Sequence, residues 1–356
     1  MPSQPRAANW WTSEGDSVRC CLCPNRCRIG EGEVGFCGVR KNTGAQLSSL
    51  NYGKICVTTL DSIEKKPLFH YRPGSKLYSV GTVGCNLDCP ACQNFMLARG
   101  STDTPFTEVA PADLVFEAQS RGADGIGWTF NEPVVWAEYV IDVSMEGSKK
   151  GLYSVMNTNG FIEKKARDDL LPHIDAMKVD VKSFNEAFYR SCGGMLDPVL
   201  ETCIASKEHG VHLELAYLLI PGLNDAQQEL ESFSSWVVAT LGRDVPVHLF
   251  RFSPAYKLKH MRQESLERMQ AARHIALSSG LKYVYFGGVV SREEQSTRCS
   301  RCGTLLISRD EGVSEKLFVR QAQVSRFCPN FSNVAVNVAE GGKCPDCGEP
   351  INIKLS

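Results

Sequence analysis

The cysteines are the residues whose spacing points most clearly to chemistry. The chain has 16 cysteines among 356 residues, and most of them fall into three groups. The central group, Cys85, Cys89 and Cys92, has the spacing C-x3-C-x2-C and directly follows a predicted strand. A structural zinc ion takes four ligands, and a 4Fe–4S cluster is usually held by four cysteines. Three local thiolates therefore favour a cluster that leaves one iron open to a small molecule. The alternative is a zinc ion whose fourth ligand is remote.

The other two groups lie near the ends of the chain and have four members each. The N-terminal group has a compact C-x2-C-x3-C-x9-C spacing, which is compatible with zinc or with a second iron–sulfur cluster. The C-terminal group consists of two C-x2-C knuckles, which are typical of a zinc ribbon or a rubredoxin-like site that shares one metal. The N-terminal ligands are Cys20, Cys23, Cys27 and Cys37, and the C-terminal ligands are Cys299, Cys302, Cys344 and Cys347. Cys21, Cys56, Cys192 and Cys203 fall outside the groups, and Cys328 is expected to be unligated.

Composition limits the classes of function. The chain has 39 Lys and Arg residues and 40 Asp and Glu residues, which gives a formal net charge of −1. We therefore do not expect general electrostatic binding to nucleic acid or to an anionic membrane. No apolar run approaches the roughly 20 residues of a membrane span, and no signal-peptide stretch opens the chain. We therefore expect a soluble cytoplasmic protein in which the grouped thiols bind metal rather than form disulfides.

The central region alternates predicted strands with predicted helices, which indicates a parallel sheet. We predict an α/β fold, a partial (β/α)6 TIM-like barrel, with a doubly wound open sheet as the alternative. The predicted strands are 76–83, 125–129, 153–158, 176–181, 213–220 and 245–252, with 281–286 as a possible seventh, and the predicted helices include 111–121, 133–149, 197–209, 226–241 and 264–279. The predicted domains are a Cys-rich metal-binding region at 1–60, the barrel at 61–290, and a zinc-ribbon-like module at 291–356.

The polar motifs follow the predicted strands, where barrel enzymes place their chemistry. C-x3-C-x2-C after the first strand of a partial barrel resembles the radical SAM superfamily. The resemblance implies that the open iron of a 4Fe–4S cluster binds S-adenosylmethionine (SAM). Reductive cleavage of SAM then yields methionine and a 5′-deoxyadenosyl radical, which abstracts hydrogen from substrate. Ala91 stands where this family often has an aromatic residue, so another side chain, such as Phe95, is expected to contact the adenine.

The same resemblance assigns expected roles to residues at the ends of later strands. Asn131 and Glu132 occupy the place of a motif that holds the SAM amino group, although a plain strand-to-helix turn is the alternative. Asn157, Thr158 and Asn159 are expected near the methionyl or ribose part, although they are also ordinary turn residues. Asp180 and Lys182 are similar to an Asp-x-Lys motif of glycyl-radical-enzyme activases, and a strand-end ion pair is the alternative. His248 is either a further cofactor contact or a core histidine, and the six other histidines form no recognisable constellation.

Several motifs together resemble the AmmeMemoRadiSam system radical SAM enzymes, which are similar to pyruvate formate-lyase activating enzyme. They are the tryptophan pair near the start, G-F-C-G-V-R at 35–40, D-S-I-E-K-K-P-L at 61–68, C-Q-N at 92–94, and the closing knuckles. The resemblance implies an activase-like enzyme that acts on a protein, such as a Memo-like or AMMECR-type protein, with ferredoxin or flavodoxin as reductant. The alternative is a non-catalytic multi-metal scaffold or an iron–sulfur electron-transfer protein.

Overall fold

Short antiparallel strands, rather than helices, build the N-terminal region. A computed structural model of the chain describes residues 6–101, 103–289, 292–312 and 330–356. Two three-stranded sheets, with orders β1-β6-β5 and β2-β3-β4, pack around buried Val18, Ile29 and Leu47. The strands are β1 (Arg6–Ala7), β2 (Trp11–Glu14), β3 (Ser17–Cys20), β4 (Arg28–Ile29), β5 (Arg40–Thr43), β6 (Gln46–Ser49) and β7 (Lys54–Ile55).

An eight-stranded sheet forms the centre of the described residues. Seven of its strands are parallel, as the strand–helix alternation predicted, and the eighth, β8, pairs antiparallel with β9 at one edge. The strands of this sheet are β8 (Val57–Ser62), β9 (Lys76–Gly81), β11 (Gly125–Trp128), β12 (Tyr153–Thr158), β13 (Ala176–Val181), β14 (His212–Leu219), β15 (Val247–Arg251) and β16 (Val284–Gly287). A short strand outside the sheet, β10 (Thr107–Glu108), pairs with β7. The sheet order is β16-β15-β14-β13-β12-β11-β9-β8.

Helices connect the parallel strands and cover the sheet. The five predicted helices are present to within a few residues at each end, because their apolar positions recur at the helical period. The helices are α1 (Phe95–Ala98), α2 (Pro111–Ser120), α3 (Ala137–Ser148), α4 (Lys164–Leu170), α5 (Glu186–Ser191), α6 (Asp197–Glu208), α7 (Gln227–Trp236), α8 (Leu266–Ser278) and α9 (Arg292–Gln295). Short 3-10 turns lie at Ile63–Lys65, Pro133–Trp136, Leu171–His173 and Tyr256–Leu258, and a π turn at Val237–Leu241 extends α7.

The central sheet curls around an interior. Thr59 of the edge strand β8 and Phe250 of β15, near the other edge, line the same cavity. Strands so far apart in the sheet order can share a cavity only if the sheet bends toward itself, as in a barrel. The structure therefore has six strand–helix units, a seventh parallel strand and an unpredicted antiparallel edge strand. The predicted boundary between the Cys-rich region and the barrel, at residues 60 and 61, falls inside this edge strand.

The C-terminal region lies against the gap between the two edges of the barrel. Its antiparallel sheet consists of β17 (Thr297–Arg298), β18 (Leu305–Gly312) and β19 (Asn330–Val336). Buried Arg309 of β18 donates hydrogen bonds to the Phe69 carbonyl at 2.6 Å and to Thr297 Oγ1 at 2.9 Å. Phe69 also packs edge-on against Phe331 and Tyr285. One shared core thus joins this region to the barrel. Cys328 lies outside the described residues.

No helix in the described ranges combines the length and apolar character required to cross a membrane.

Candidate functional site

A cavity of about 310 Å³ opens at the carboxyl ends of the parallel strands. Residues of the parallel strands β12 to β15, and of the segments that follow β9 and β11 to β14, line this cavity, so residues distant in sequence meet in one place. The cavity brings together these predicted site residues: Cys85, Cys89, Cys92, Asn131, Glu132, Asn157, Thr158, Asn159, Asp180 and Lys182. Of the predicted cofactor and catalytic residues, His248 and Phe95 are not among its lining residues.

The loop that carries the three central cysteines is held by its backbone. Arg99, at the end of α1, donates to the carbonyls of Cys85 and Leu87 at 2.5 and 2.7 Å. Asn86 donates from its side chain to the Phe161 carbonyl at 2.6 Å, and the Asp88 amide donates to the Cys192 carbonyl at 2.7 Å. These contacts leave the three thiols directed at the cavity. Arg99 was not predicted, because nothing in the local sequence distinguishes it from a surface arginine.

Glu132 is the most constrained acid of the cavity. Its Oε1 accepts hydrogen bonds from Thr158 Oγ1 at 2.6 Å and from the Val134 amide at 3.0 Å. Its Oε2 accepts one from the Asn159 amide at 2.8 Å. Burial raises the pKa of Glu132 to about 7, although these donors favour the charged form. The carboxylate can therefore receive a cationic group near neutral pH.

The asparagines of the cavity have two different roles. Asn131 is used by the protein itself, since its Oδ1 accepts from the Thr82 amide at 3.0 Å and its Nδ2 donates to the Gly84 carbonyl at 3.1 Å. Asn157 Oδ1 is buried and accepts no hydrogen bond from the described residues. A buried acceptor without a donor is costly, so Asn157 fits a site where a ligand supplies the donor.

Asp180 and Lys182 form an ion pair inside the cavity, and Lys178 extends it. Asp180 lies 2.6 Å from Lys178 Nζ and 3.1 Å from Lys182 Nζ. Burial by itself would raise the pKa of Asp180, but the two lysines lower it to about 2. Both ends of the predicted Asp-x-Lys motif face the interior, as the two-residue period of a strand requires. Lys178 was missed because it precedes the strand end.

A second cationic group enters the cavity from the edge strand. Lys65 and Lys66, at the 3-10 turn after β8, lie 2.7 and 3.0 Å from the carboxylate of Asp61. Burial opposes ionisation of Asp61, but Lys66 and Lys65 outweigh it and lower its pKa to about 2. Lys66 Nζ also lies 5.2 Å from the ring centre of Phe130. The motif at 61–68 thus reaches the mouth of the barrel.

Backbone strain marks the segment after β11. Phe130 has φ +75°, a left-handed conformation that is rare for an aromatic residue. Gly81, on the neighbouring strand, has no room for a Cβ, which would lie 2.7 Å from the Thr129 carbonyl oxygen. Strain of this kind is retained when the surrounding structure requires it, and it is common at functional sites. Here it directs Asn131 and Glu132 into the cavity.

His248 lies below the cavity and does not line it. On β15 it is two residues before Phe250, so the strand pleat places both on the inner face, with His248 one layer deeper. Its Nε2 contacts Glu214 Oε2 at 2.6 Å, and the residue is fully buried. Burial lowers the pKa of His248 and favours the neutral ring. The structure therefore supports the core-histidine interpretation over a cofactor contact.

Glu214 organises a buried cluster that the sequence did not reveal. It accepts hydrogen bonds from the backbone amides of Phe69 and His70 at 2.7–3.0 Å. It also contacts His212 Nε2 at 3.0 Å, in addition to His248. Three histidines that showed no common motif thus meet, directly or through the backbone, at one carboxylate. His70 and Glu214 are 144 residues apart, so no local pattern in the sequence indicates the cluster.

The loop after β15 contacts the central cysteine loop and does not line the cavity. Lys257 Nζ lies 2.6 Å from Asp88, and the Lys257 amide donates to the Pro90 carbonyl at 3.1 Å. Phe95 stacks on Tyr256 with ring centres 4.9 Å apart and does not line the cavity, so the expected adenine contact is not found there. The aromatic rings of the cavity are instead those of Phe130, Phe188 and Phe250.

Cys192 is a fourth thiol next to the central group. It lies after α5 within hydrogen-bonding reach of Cys89, and this contact, together with burial, raises the pKa of Cys89 well above its usual value. Cys192 is fully buried and does not line the cavity.

The two terminal cysteine groups differ in geometry. The thiol sulfurs of Cys299, Cys302, Cys344 and Cys347 all lie within 4.8 Å of one another, as one shared metal ion requires. This group fits a zinc-ribbon module. Cys20, Cys23, Cys27 and Cys37 also converge, but around a separate small cavity with apolar walls.

Comparison with known families agrees with the geometry of the central site. The family model described as the radical SAM superfamily matches residues 79–233, which run from β9 to α7 and include all three central cysteines. The chain belongs to the radical SAM superfamily. This radical SAM enzyme has the central parallel sheet that the strand–helix alternation predicted, and its cysteine loop follows the first parallel strand, β9.

Two curated proteins and one solved structure are similar to this radical SAM enzyme. An uncharacterised protein of Methanocaldococcus jannaschii is 37% identical over 343 residues, covering 96% of this chain and 97% of that protein. Pyruvate formate-lyase 1-activating enzyme of Escherichia coli is 26% identical over 152 residues, covering 40% of this chain and 60% of that enzyme. A solved domain of a pyruvate-formate lyase-activating enzyme from Bacteroides vulgatus has a TM-score of 0.41 at 18% identity, covering 46% of this chain and 99% of that domain.

The residues of the cavity fit the cofactors that the superfamily implies. Cys85, Cys89 and Cys92 direct three thiols into one cavity. Among the described residues, their sulfurs do not form a group, alone or with other ligand atoms, that is close enough to hold a single metal ion. Glu132 and the unpartnered Asn157 Oδ1 supply acceptors on the same cavity wall. An iron–sulfur cluster with SAM beside it matches this set of donors.

Proposed function

We propose that this radical SAM enzyme holds a 4Fe–4S cluster on Cys85, Cys89 and Cys92, with the fourth iron open to SAM. The observation that carries the proposal is that the three thiols share one cavity with a buried carboxylate, Glu132, and an unpartnered acceptor, Asn157. When bound, the cluster supplies one electron to the sulfonium of SAM, which releases methionine and a 5′-deoxyadenosyl radical. An electron carrier or a metal scaffold has no need for such a cavity.

The side chains around the cavity position SAM. Glu132 is held by the hydroxyl of Thr158 and the amide of Asn159, so its carboxylate is oriented before the amino group of SAM arrives. Asn157 accepts a further hydrogen bond from the nucleoside or the methionyl part. Lys182 and Lys178 neutralise Asp180 and present positive charge to an anionic group, such as a carboxylate.

We infer that the hydrogen atom comes from a protein or peptide substrate, as in activating enzymes. The similarity to pyruvate formate-lyase 1-activating enzyme and the inward-facing Asp180–Lys182 pair support this. Memo-like or AMMECR-type proteins are candidate substrates, and ferredoxin or flavodoxin is the candidate reductant. The C-terminal cysteines hold zinc and stabilise the region that packs against the barrel.

The test is anaerobic reconstitution with iron and sulfide, followed by EPR of the reduced protein with and without SAM. Methionine and 5′-deoxyadenosine are quantified in the same samples. We expect a cluster signal that changes when SAM is added, with both products formed. Cys89→Ala should abolish both products, whereas Cys56→Ala, which removes a thiol outside the cavity, should leave them unchanged. Undiminished 5′-deoxyadenosine from Cys89→Ala would overturn the ligand assignment.

A further inference from the structure

The four N-terminal cysteines surround a cavity of their own. Cys20 ends β3, Cys23 and Cys27 lie on the following turn, and Cys37 lies on the next loop. All four line one small cavity, together with apolar side chains that include Leu22, Ile29 and Val135. No carboxylate or histidine is among the residues that line it. The cavity therefore offers four thiolates and no other metal ligand.

The spacing of the sulfurs distinguishes a single ion from a cluster. A tetrahedral zinc site with Zn–S bonds of about 2.3 Å holds its sulfurs about 3.8 Å apart. The C-terminal group matches this value, since its sulfurs lie 3.6 Å apart in two pairs, Cys299 with Cys347 and Cys302 with Cys344. A 4Fe–4S cube holds its four thiolates farther apart, at roughly 6 Å.

The N-terminal group has the wider spacing. In the part of the chain that the structure describes, which includes all four of these cysteines, no three of their sulfurs lie within 4.8 Å of one another. The same is true of Cys85, Cys89 and Cys92. Among the cysteines that the structure describes, one group is thus closely spaced and two are wide, and the N-terminal group resembles the central one.

We propose that Cys20, Cys23, Cys27 and Cys37 hold a second iron–sulfur cluster of the 4Fe–4S type, and not zinc. Four protein thiolates leave no iron open, so this cluster does not bind SAM and acts as a one-electron carrier. The assignment of the cluster rests on the sulfur spacing alone, whereas its role as a carrier rests on the proposed function of the central site.

The second site is packed directly against the central cysteine loop. A Cβ added to Gly84, the residue before Cys85, would lie 2.9 Å from the carbonyl oxygen of Cys37. Asn25, between Cys23 and Cys27, donates from its side chain to the carbonyl of Asn86 at 2.9 Å. The two cysteine loops are therefore in van der Waals and hydrogen-bonding contact.

Phe36 provides a third contact between the two loops. Its ring lies 5.3 Å from the guanidinium carbon of Arg99, which in turn donates to the carbonyl of Cys85. Phe36 is 45% exposed, so the second site lies between the surface and the central cluster. In the proposed role it accepts one electron from a low-potential one-electron reductant and passes one electron to the central cluster, and no bond forms or breaks there.

The decisive variant removes the central site and leaves the proposed one intact. Cys85→Ser, Cys89→Ser and Cys92→Ser are combined in the full-length chain, which is reconstituted anaerobically, and its iron, sulfide and zinc are counted. We expect about four iron atoms and about one zinc ion per chain. After dithionite reduction, we expect an EPR signal of a reduced 4Fe–4S cluster that does not change when SAM is added. A chain with two zinc ions and no iron would overturn the proposal.

The complementary variant removes the proposed site. Cys27→Ser combined with Cys37→Ser should lose about half of the wild-type iron and keep a cluster signal that changes with SAM. Cys21→Ser is the matched control, since its thiol hydrogen-bonds to the Arg19 carbonyl and does not line the cavity of the four cysteines, and it should keep all the iron. If the double variant does not fold, the central triple variant still decides the outcome. Failure of the proposed function appears separately, as a wild-type signal that SAM does not affect.

Discussion

Glu132 connects local hydrogen bonding with the expected binding of SAM. Its carboxylate receives donors from three residues at or after the ends of two strands, β11 and β12, so the barrel fixes its orientation before a ligand binds. Burial raises its pKa to about 7. The protonation state of this one residue therefore changes within the pH range of ordinary assays, and a ligand with an ammonium group favours the ionised form.

The first prediction concerns Glu132→Gln. Because a hydrogen bond to a charged group contributes about 1.5–3 kcal/mol, the variant should bind SAM about 10- to 100-fold more weakly at pH 8. Wild-type affinity should fall about tenfold between pH 8 and pH 6, since protonation removes the charge, and the variant's affinity should be independent of pH. Anaerobic equilibrium dialysis with SAM measures both. Glu117→Gln on the surface of α2 is the control, and a wild-type affinity that is constant with pH would contradict the assignment.

Glu214 has a structural role at the opposite end of the barrel. Burial would raise its pKa, but the hydrogen bonds from His212 and His248 lower it well below the usual value. A carboxylate with a depressed pKa stabilises the fold above its unfolded-state pKa of about 4.3. That contribution is lost only when the pH falls through the lower, folded-state pKa.

The second prediction is that Glu214→Gln lowers the free energy of unfolding by about 3–5 kcal/mol at pH 7, as expected when one partner of a buried charged network is removed. The difference from wild type should shrink as the pH is lowered below 4. Thermal unfolding at a series of pH values provides the measurement, and Glu231→Gln on α7 serves as the exposed control. A thermal midpoint equal to that of the wild type at pH 7 would rule out the structural role.

At the scale of elements, the central cysteine loop depends on contacts from several parts of the chain. The end of α1, the loop after β15 and the N-terminal cysteine loop each hold a different backbone segment. Gly84 allows the closest of these approaches. It has φ +103°, and its missing side chain leaves room for the Cys37 carbonyl and for Val39.

The third prediction compares two glycine substitutions. Gly84→Ala should reduce the iron content at both N-terminal and central cysteines, because an added Cβ pushes the two loops apart. Gly151→Ala also has a positive φ, +76°, but its Cβ would meet no atom within 4 Å. It should cost about 1 kcal/mol of stability and leave the iron content unchanged. Metal analysis after reconstitution checks both, and equal iron loss in the two variants would count against the loop contact.

The elements themselves were largely predictable, and the exceptions have physical reasons. Strands 153–158 and 176–181 were predicted with their observed bounds, because buried parallel strands form short apolar runs between helices. Helices α4 and α5 were missed, since they are only 7 and 6 residues long and too short for a helical period to be recognised. The antiparallel edge strand β8 and the short strands before it were all missed, because strands of two to six residues are too short for their alternation to be recognised.

At the scale of the whole molecule, the C-terminal region completes the barrel. Arg309 is buried with Glu64 3.8 Å away, and it also donates to the carbonyl of Gln295 at 2.9 Å. Burial raises the pKa of Glu64, and the nearby guanidinium partly offsets that effect. The pair joins the C-terminal sheet to the turn whose lysines reach the cavity. Loss of the C-terminal region should therefore affect the site as well as the core.

The fourth prediction is that Arg309→Met lowers the free energy of unfolding by about 3–5 kcal/mol, because Glu64 is left buried without a cation. The double variant with Glu64→Gln should recover part of the loss, since it removes the unpaired charge. Thermal unfolding of the metal-loaded protein measures both, with Arg301→Met on the exposed knuckle as the control. Equal midpoints for the single and double variants would indicate that the ion pair does not couple the two regions.

The sequence by itself determined which residues could carry the chemistry of this protein, and the tertiary structure decided how they are arranged. The C-x3-C-x2-C spacing and the strand–helix alternation are local patterns, so the central cysteine loop and the parallel sheet could be predicted from neighbouring residues. The Asp-x-Lys motif could be recognised in the same way. The cluster around Glu214, the placement of His248 below the cavity and the contact between the two cysteine loops join residues that are far apart in the chain. Such contacts depend on how the sheet curls and on which strand lies beside which, and no local pattern encodes them.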